Sequence, residues 1–233
     1  MDYSDIEKWN VQQLRNTLKE FGLKSRKRKD DMIKDILEFK DSTYVREKQL
    51  GDPGKDAVTY QVNRRFALKQ FKPRKSVAKI EEEVTLQKLA ASRCIAPKII
   101  DVDLKRKYIL MDKLDKHLID VNSEKTVSAD HQIQLLNLYD SLDKACVFHG
   151  DANPLNYMYR KKRGGGTKLY VIDFGMSKRI TPSLVKKLGT ETPNRNLMTL
   201  GMILKLKLMG FPRESYEILL TAIPEQQRIQ FGL

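Results

Sequence analysis

Two short stretches of this chain carry the side chains that could do chemistry. One holds Asp151 and Asn156 in Asp-x-x-x-x-Asn spacing, and the other is an apolar run that ends at Asp173 and continues with Phe-Gly. Carboxylate and amide oxygens are hard ligands that suit magnesium, and phosphoryl transfer depends mainly on holding metal ions, phosphates and the accepting hydroxyl in line. The two stretches together therefore contain the kinds of side chain that metal-assisted phosphoryl transfer requires.

Two strand-like runs, residues 157–160 and 168–172, separate these stretches, and the basic triglycine segment between the runs indicates a hairpin turn. Asp-Phe-Gly alone is as typical of an ordinary strand-to-turn junction, so the interpretation depends on the ordered pair. In that order the stretches resemble the active site of protein kinases. The resemblance implies ATP and Mg²⁺ as cofactors, with Asp151 accepting the hydroxyl proton and Asn156 and Asp173 holding the metal.

A strand-rich region precedes this candidate site. Alternating side chains after residue 49 predict strand, glycine loop, strand, turn and strand, and two further apolar runs complete a five-stranded sheet. This region resembles the N-lobe of a kinase, although its two glycines alone are typical of a hairpin turn. The resemblance implies that Lys69, in the third strand, positions ATP and that Glu82 is its partner, with Glu83 as the alternative. It also implies nucleotide contacts in the glycine loop and the hinge, at Gly51, Gly54, Met111, Asp112, Lys113 and Leu114.

Two short helices are predicted before the strands. Asn10 is a suitable N-cap for the first and Gly22 a suitable stop, and the second begins near Asp30. With the basic turn between them, the helices resemble a SAP domain, a small helical DNA-binding module, over residues 5–40. The resemblance implies a nucleic-acid partner, with phosphate contacts from the four cations of the turn, Arg26, Lys27, Arg28 and Lys29. The alternative is a helical hairpin that packs on the neighbouring domain, with the basic turn as a solvated loop.

These resemblances imply an α+β chain with a bilobal protein-kinase-like fold and a minimal helical C-lobe, preceded by a small N-terminal helical SAP-like module. The implied boundaries are a module at 1–40, a linker at 41–46 and a kinase-like domain at 47–233, with the N-lobe at 47–112 and the C-lobe at 116–233. Helical spacing also predicts a helix leading into the candidate site, with an apolar face formed by Ile133, Leu136, Tyr139 and Leu142.

The chain departs from ordinary protein kinases at three positions. Gly150 stands where an arginine normally precedes the catalytic aspartate, and Asn153 stands where serine/threonine kinases usually carry a lysine. Asn196 occupies the position of a helix-starting aspartate, five residues before Gly201. These features resemble the RIO kinases and the small kinase of the KEOPS tRNA-modification complex. A SAP-like module fused to such a kinase also resembles predicted kinases of large cytoplasmic DNA viruses.

Composition describes a basic chain of 233 residues, with a formal charge of +14 and a pI of about 9.6. This charge favours an anionic partner, although a diffusely basic protein would have the same balance. Cys94 and Cys146 form no Cys-x-x-Cys motif, so a reducing intracellular compartment fits better than a zinc site or a disulfide framework. Residues 1–5 lack the order of a signal peptide, and the apolar run 197–211 is too short to span a bilayer and predicts a buried helix without membrane contact.

The leading hypothesis from the sequence is an atypical serine/threonine protein kinase that acts on a protein substrate and binds nucleic acid through its N-terminal module. Three alternatives stay open: a small-molecule phosphotransferase similar to aminoglycoside and choline kinases, an ATPase linked to RNA, and a non-catalytic DNA-binding pseudokinase scaffold. Asp-Phe-Gly and the short C-terminal tail favour the protein kinase over the small-molecule phosphotransferase. The pseudokinase is disfavoured because the chain retains Lys69, Asp151, Asn156 and Asp173. The oligomeric state is left open.

Overall fold

The computed structural model describes residue 3 and residues 5–42, 45–119, 126–162 and 164–233. The chain combines helices with antiparallel sheets, which confirms the predicted α+β class. It divides into two compact units, one formed by Met1–Ile80 and Ile99–Lys113 and the other by Glu81–Lys98 and Leu114–Leu233. Among the described residues, no helix is both long enough and apolar enough to span a bilayer.

The first unit begins with the two predicted helices, α1 (Val11–Phe21) and α2 (Lys29–Ser42). The side chain of Asn10 accepts a hydrogen bond from the backbone N–H of Gln13 (2.9 Å), and the side chain of Gln13 accepts one from the backbone N–H of Asn10 (2.8 Å). This reciprocal capping satisfies two N–H groups that a helix start otherwise leaves unpaired. The predicted N-cap is therefore confirmed, and α1 ends at Gly22 as predicted.

A five-stranded antiparallel sheet completes the first unit and confirms the predicted strand region. Its strands lie in the order β1-β2-β3-β5-β4. Their bounds are β1 Lys48–Leu50, β2 Ala57–Gln61, β3 Phe66–Phe71, β4 Ile99–Asp103 and β5 Tyr108–Asp112. The central strand β3 sets Lys69 opposite Thr59 of β2 and Ile109 of β5.

The two N-terminal helices and the sheet share one hydrophobic core. Its fully or nearly buried members come from both, and include Leu14, Leu18, Met32 and Ile36 from the helices and Phe66, Leu68 and Leu110 from the strands. Phe39 of α2 meets Phe66 edge-on, with ring centres 5.8 Å apart. The boundaries at 1–40, 41–46 and 47 stay predictions, and residues 43 and 44 of the proposed linker lie outside the described residues.

The second unit combines small sheets with helices. The division from the first unit falls inside the helix α3 (Val77–Ser92). Strands β6 (Lys116–His117), β8 (Tyr157–Lys161) and β9 (Thr167–Val171) form one antiparallel sheet in the order β6-β8-β9, and β7 (Val147–Phe148) pairs with β10 (Lys178–Arg179). The further helices are α4 Ala129–Lys144, α5 Pro182–Leu188, α6 Thr199–Leu208, α7 Glu217–Leu220 and α8 Glu225–Gln230.

Helix α4 is central to the core of the second unit. Leu136, Tyr139 and Leu142 are buried as predicted, but the prediction for Ile133 was wrong because its side chain is 50% exposed. Leu135 and Leu138 are buried instead, so the buried face of α4 is turned away from Ile133. The helix predicted within the apolar run 197–211 is confirmed as α6, which follows directly on a π-helical turn, Asn194–Met198.

We expect Ile36→Ala to lower the free energy of unfolding of the first unit by about 2–5 kcal/mol, the usual loss for removing a fully buried branched side chain. Leu37→Ala on the same helix is the matched control, because Leu37 is 38% exposed. Trp9, the only tryptophan of the chain, packs against this core, so its fluorescence in a urea titration reports the transition. Leu68→Ala in β3 should shift the same transition, and a Trp9 signal unchanged by Leu68→Ala would contradict a shared core.

Candidate active site

The loop between β7 and β8 contains the first pair of predicted site residues. The side-chain N–H of Asn156 donates to Asp151 Oδ2 at 2.8 Å, and the backbone N–H of Asn153 donates to Asp151 Oδ1 at 3.1 Å. Two donors thus fix the orientation of the Asp151 carboxylate, which is half-buried. Because the nitrogen of the Asn156 amide points to Asp151, the amide oxygen is the atom of this side chain that could coordinate a cation.

Asp173 lies at the end of β9, and the backbone connects this end to the same loop. The N–H of Ile172 donates to the carbonyl oxygen of Asn156 at 2.8 Å. Asp173 follows in a left-handed conformation, with φ 62° and ψ 78°, and its carboxylate accepts the N–H of Gly175 at 3.3 Å. A residue with a side chain costs roughly 1–2 kcal/mol in this conformation, and such strain is concentrated at functional sites.

His149 connects the two loops from inside the protein. Its Nδ1 lies 3.1 Å from the carbonyl oxygen of Asp151, and its Nε2 lies 3.0 Å from that of Ile172. The ring is fully buried and meets Phe174 edge-on at 5.3 Å. Burial lowers the pKa of His149 and outweighs the two carbonyl oxygens, which raise it. The ring is therefore neutral near pH 7, and a neutral imidazole can donate to one carbonyl at a time.

Two glycines allow close backbone approaches around Asp151. Gly150 has a φ of +79°, and a Cβ there would come within 3.0 Å of the carbonyl oxygen of Met176. Gly201 lies in α6, where other residues would also fit the helical backbone. A Cβ added there would lie 2.8 Å from the Cβ of Ala152, which is too close. The first approach gives a physical reason for a glycine at position 150, because any side chain there would be strained.

Asn194 is a positioning residue that the sequence analysis missed. It is fully buried, its side-chain oxygen accepts the backbone N–H of His149 (3.0 Å), and its side-chain nitrogen donates to Val147 O (2.8 Å) and to Asp143 Oδ1 (2.7 Å). The prediction assigned the corresponding helix start to Asn196, whose amide instead donates to Thr190 Oγ1 at 2.7 Å. The spacing to Gly201 could not distinguish the two asparagines, because both lie in one π-helical turn and the fold decides which of them meets the loop.

Asp143 of α4 supports Asn194 from the other side. Its carboxylate accepts the backbone N–H groups of Asn194 (3.0 Å) and Arg195 (2.9 Å) in addition to the Asn194 amide. Burial, the largest influence, and the neighbouring Asp140 carboxylate raise the pKa of Asp143 and together outweigh these three donors, which lower it. A chain of hydrogen bonds thus runs from α4 through Asn194 to the backbone immediately before Asp151.

The residues predicted to contact nucleotide lie in both units. In the first, Lys69 is half-buried in β3, with its Nζ 5.4 Å from the centre of the Phe71 ring. In the second, Glu82 is exposed on α3 whereas Glu83 is only 2% exposed. A buried carboxylate needs a compensating partner far more than an exposed one does. The choice between Glu82 and the alternative Glu83 as the partner of Lys69 stays a prediction.

The glycine loop and the hinge complete the set of predicted nucleotide contacts. Gly51 and Gly54 lie between β1 and β2, where Gly51 O accepts from Gln49 (2.9 Å) and Gly54 O accepts from Lys72 (2.7 Å). Met111 and Asp112 end β5. The backbone N–H of Lys113 donates to Arg65 O at 2.7 Å, so that N–H is already engaged, and Leu114 is buried at the start of a stretch of the second unit.

The four cations of the turn between α1 and α2 are exposed but differ in their contacts. Arg26 pairs with Asp35 at 2.7 Å, which raises the pKa of the guanidinium, and Lys29 donates to the carbonyl oxygen of Glu7 at 2.7 Å. Lys27 and Arg28 make no side-chain hydrogen bond or ion pair within the part of the chain that the structure describes. These two cations are the ones that a phosphate would meet without displacing an existing contact.

The donor set near Asp151 suits magnesium better than zinc. The described residues contain no cluster of three or more His, Cys, Asp or Glu side chains arranged to hold a metal. A carboxylate from Asp173 and an amide oxygen from Asn156 are few but hard ligands. Mg²⁺ is commonly bound in this way, because it keeps several waters and takes further oxygens from substrate phosphates.

No protein-family model matches the chain, and no curated protein gives a significant match.

We expect Asn194→Ala to destabilise the second unit, because each buried group left without a partner costs about 1–3 kcal/mol. Asn196→Ala is the matched control, since it removes one amide–hydroxyl hydrogen bond at a half-buried position. Urea denaturation followed by circular dichroism compares the two variants, and hydrogen exchange at the His149 amide reports the local effect. Equal losses in both variants, with unchanged exchange at His149, would contradict the positioning role of Asn194.

Proposed function

We propose that this chain is an ATP-dependent phosphotransferase, an atypical serine/threonine protein kinase with a bilobal kinase-like fold. The observation that carries the proposal is the connection between the two loops of the second unit. Asn156 donates its amide N–H to Asp151 and accepts the N–H of Ile172 on its backbone carbonyl, both at 2.8 Å. One residue thus holds the candidate base and the strand end before Asp173 in a fixed relation, as phosphoryl transfer requires.

In the proposed reaction, Asp151 accepts the proton of the acceptor hydroxyl. The hydroxyl oxygen forms a bond to the γ-phosphorus of ATP, the bond from that phosphorus to the bridging oxygen breaks, and ADP leaves. Asn156 and Asp173 would hold a magnesium ion, which would supply positive charge to the phosphate oxygens of the bound nucleotide. The N–H donors on both oxygens of Asp151 fix its direction, so the acceptor meets the carboxylate in one orientation.

Phe174 supports the kinase-like interpretation of Asp-Phe-Gly over an ordinary strand-to-turn junction. It is 1% exposed and packs against the buried ring of His149. Asp-Phe-Gly is here an ordered structural element in which the phenylalanine anchors the turn after Asp173. An ordinary strand-to-turn junction has no need for a buried aromatic side chain at this position.

We also propose that the turn between α1 and α2 binds nucleic acid. Lys27 and Arg28 support this most directly, because both are exposed and their side chains are not engaged within the described residues. Arg26 and Lys29 already pair with Asp35 and with the Glu7 carbonyl. A phosphate could displace these contacts, but its net gain there would be smaller.

Asp151→Asn tests the proposed reaction. The variant keeps an oxygen at the site but cannot accept a proton, so transfer from labelled ATP to protein substrate at saturating ATP should fall roughly 10²–10⁴-fold. Asp130→Asn, an exposed carboxylate at the start of α4, is the control and should retain full activity. Asp173→Asn should weaken nucleotide binding in magnesium and leave magnesium-free binding unchanged.

Transfer by Asp151→Asn within about threefold of wild type would remove Asp151 as the base, because a general base contributes far more than that. If the wild-type protein hydrolyses ATP without transferring phosphate to protein, an ATPase would be favoured. If it shows neither hydrolysis nor transfer, a pseudokinase scaffold would be favoured.

Lys27→Gln with Arg28→Gln tests the nucleic-acid proposal. Each phosphate contact contributes roughly 0.9 to the slope of log affinity against log salt, so losing two contacts should reduce the slope by up to about 1.8 on any duplex sequence. Arg26→Gln with Lys29→Gln removes the same charge from paired positions and should change the slope less. Titration of fluorescent duplexes at several salt concentrations gives both slopes. Unchanged affinity in both double variants would support the packed helical hairpin without a nucleic-acid role.

A further inference from the structure

The charged side chains in the segment that follows Asp173 are all positive. Residues 174–190 contain four cations, Lys178, Arg179, Lys186 and Lys187, and no aspartate or glutamate. All four are exposed, and they form no side-chain hydrogen bond or ion pair among the described residues. Exposed lysines and arginines usually alternate with carboxylates, because like charges in one patch repel one another. We call residues 174–190 the cationic segment.

The cationic segment is held next to the candidate base. Strand β10 pairs antiparallel with β7, so that Lys178 lies opposite Phe148, three residues before Asp151 in the chain. The hydroxyl of the buried Ser177 donates to the carbonyl oxygen of His149 at 3.1 Å, which fastens the start of the segment to the same loop. Paired strands lie about 5 Å apart and an extended chain advances about 3.3 Å per residue, so Lys178 begins within roughly 15 Å of Asp151.

The far end of the segment is equally ordered. Thr181 caps α5 by accepting the N–H of Leu184 at 3.2 Å, and α5 carries Lys186 and Lys187 in its last turn. After α5, the Thr190 hydroxyl accepts from the Asn196 amide at 2.7 Å. The four cations are thus presented on a segment fixed at both ends. Preorganisation of this kind reduces the entropy lost when an anionic ligand binds.

We propose that the cationic segment selects acceptor peptides that carry negative charges, from glutamate, aspartate or phosphorylated side chains, within about five residues of the acceptor hydroxyl. The inference rests on the proposed function, because it assigns the acceptor class of the same site. Five residues of an extended peptide span about 16 Å, which is enough to reach Lys178 from a hydroxyl placed at Asp151. Peptide is favoured over nucleic acid because residues 174–190 expose no aromatic ring, whereas single-stranded nucleic-acid sites combine cations with aromatic rings that stack on bases.

The test compares three serine peptides that differ only in flanking residues, with glutamates, phosphoserines or lysines on both sides of the acceptor. The enzyme is treated with phosphatase first, so that no phosphate on the chain competes for the segment. Wild type should prefer both anionic peptides over the lysine peptide in kcat/KM, and the preference should shrink as salt shortens the Debye length from about 10 Å at 0.1 M to about 3 Å at 1 M. Equal transfer to all three peptides would overturn the inference while leaving the phosphotransferase in place.

Charge-removing variants locate the preference. Lys186→Gln with Lys187→Gln, and separately Lys178→Gln with Arg179→Gln, should each lower kcat/KM for the anionic peptides roughly 2- to 30-fold, since one exposed charge pair is worth about 0.2–1 kcal/mol. Transfer to the lysine peptide should not fall. Lys88→Gln with Lys205→Gln removes two exposed cations elsewhere on the second unit and should leave the preference unchanged. The same loss in this control would overturn the inference.

A binding measurement separates this inference from the proposed function. Fluorescence anisotropy of a labelled glutamate-flanked peptide needs no catalysis, so it reports the surface even if no transfer to any peptide occurs. Binding that weakens in the two segment variants and not in the control supports the anionic-peptide surface, whatever the outcome for transfer. Absence of binding, or tighter binding of a single-stranded oligonucleotide of equal charge at the same variant-sensitive surface, overturns it.

Discussion

The buried imidazole of His149 is the contact on which the candidate site depends. It lies between the carbonyl groups of Asp151 and Ile172 and so spaces the loop of the candidate base from the strand that leads to Asp173. Its own backbone is held by Asn194, which in turn is held by Asp143 of α4. His149 and Asn194 are both fully buried, and a buried group that loses its partner costs far more than one at the surface. The geometry of exposed Asp173 and half-buried Asp151 therefore depends on two side chains that solvent does not reach.

Much of the local structure follows from sequence alone. The cap at Asn10, the stop at Gly22, the five strands of the first sheet and the hairpin of β8 and β9 all rest on short-range patterns that act within a few residues. The spacing of Asp151 and Asn156 was equally informative, because the side chains contact each other within one loop. In each case the physical cause and the sequence signal lie in the same short segment.

The remaining features depend on contacts between distant segments. Asn194 reaches the backbone of His149 across 45 residues, whereas the spacing to Gly201 had pointed to Asn196. Helical spacing allowed Ile133 on the buried face of α4, but the partners of that helix decide which face is covered. The shared core of α1, α2 and the first sheet likewise joins apolar faces that a linear pattern treats as separate modules. A sequence pattern identifies an apolar face, but not the surface it meets.

The contact between Gly150 and Met176 bears on how this protein could evolve. A single base change converts many glycine codons to arginine codons, so the mutation is always within genetic reach. The left-handed backbone of Gly150 nevertheless opposes every side chain at that position, and a Cβ there would lie only 3.0 Å from the Met176 carbonyl oxygen. An arginine at position 150 that binds a phosphorylated loop would first require the backbone of residues 148–151 and of residue 176 to move together. The main chain therefore excludes arginine at position 150, and a point mutation alone could not introduce that side chain without strain.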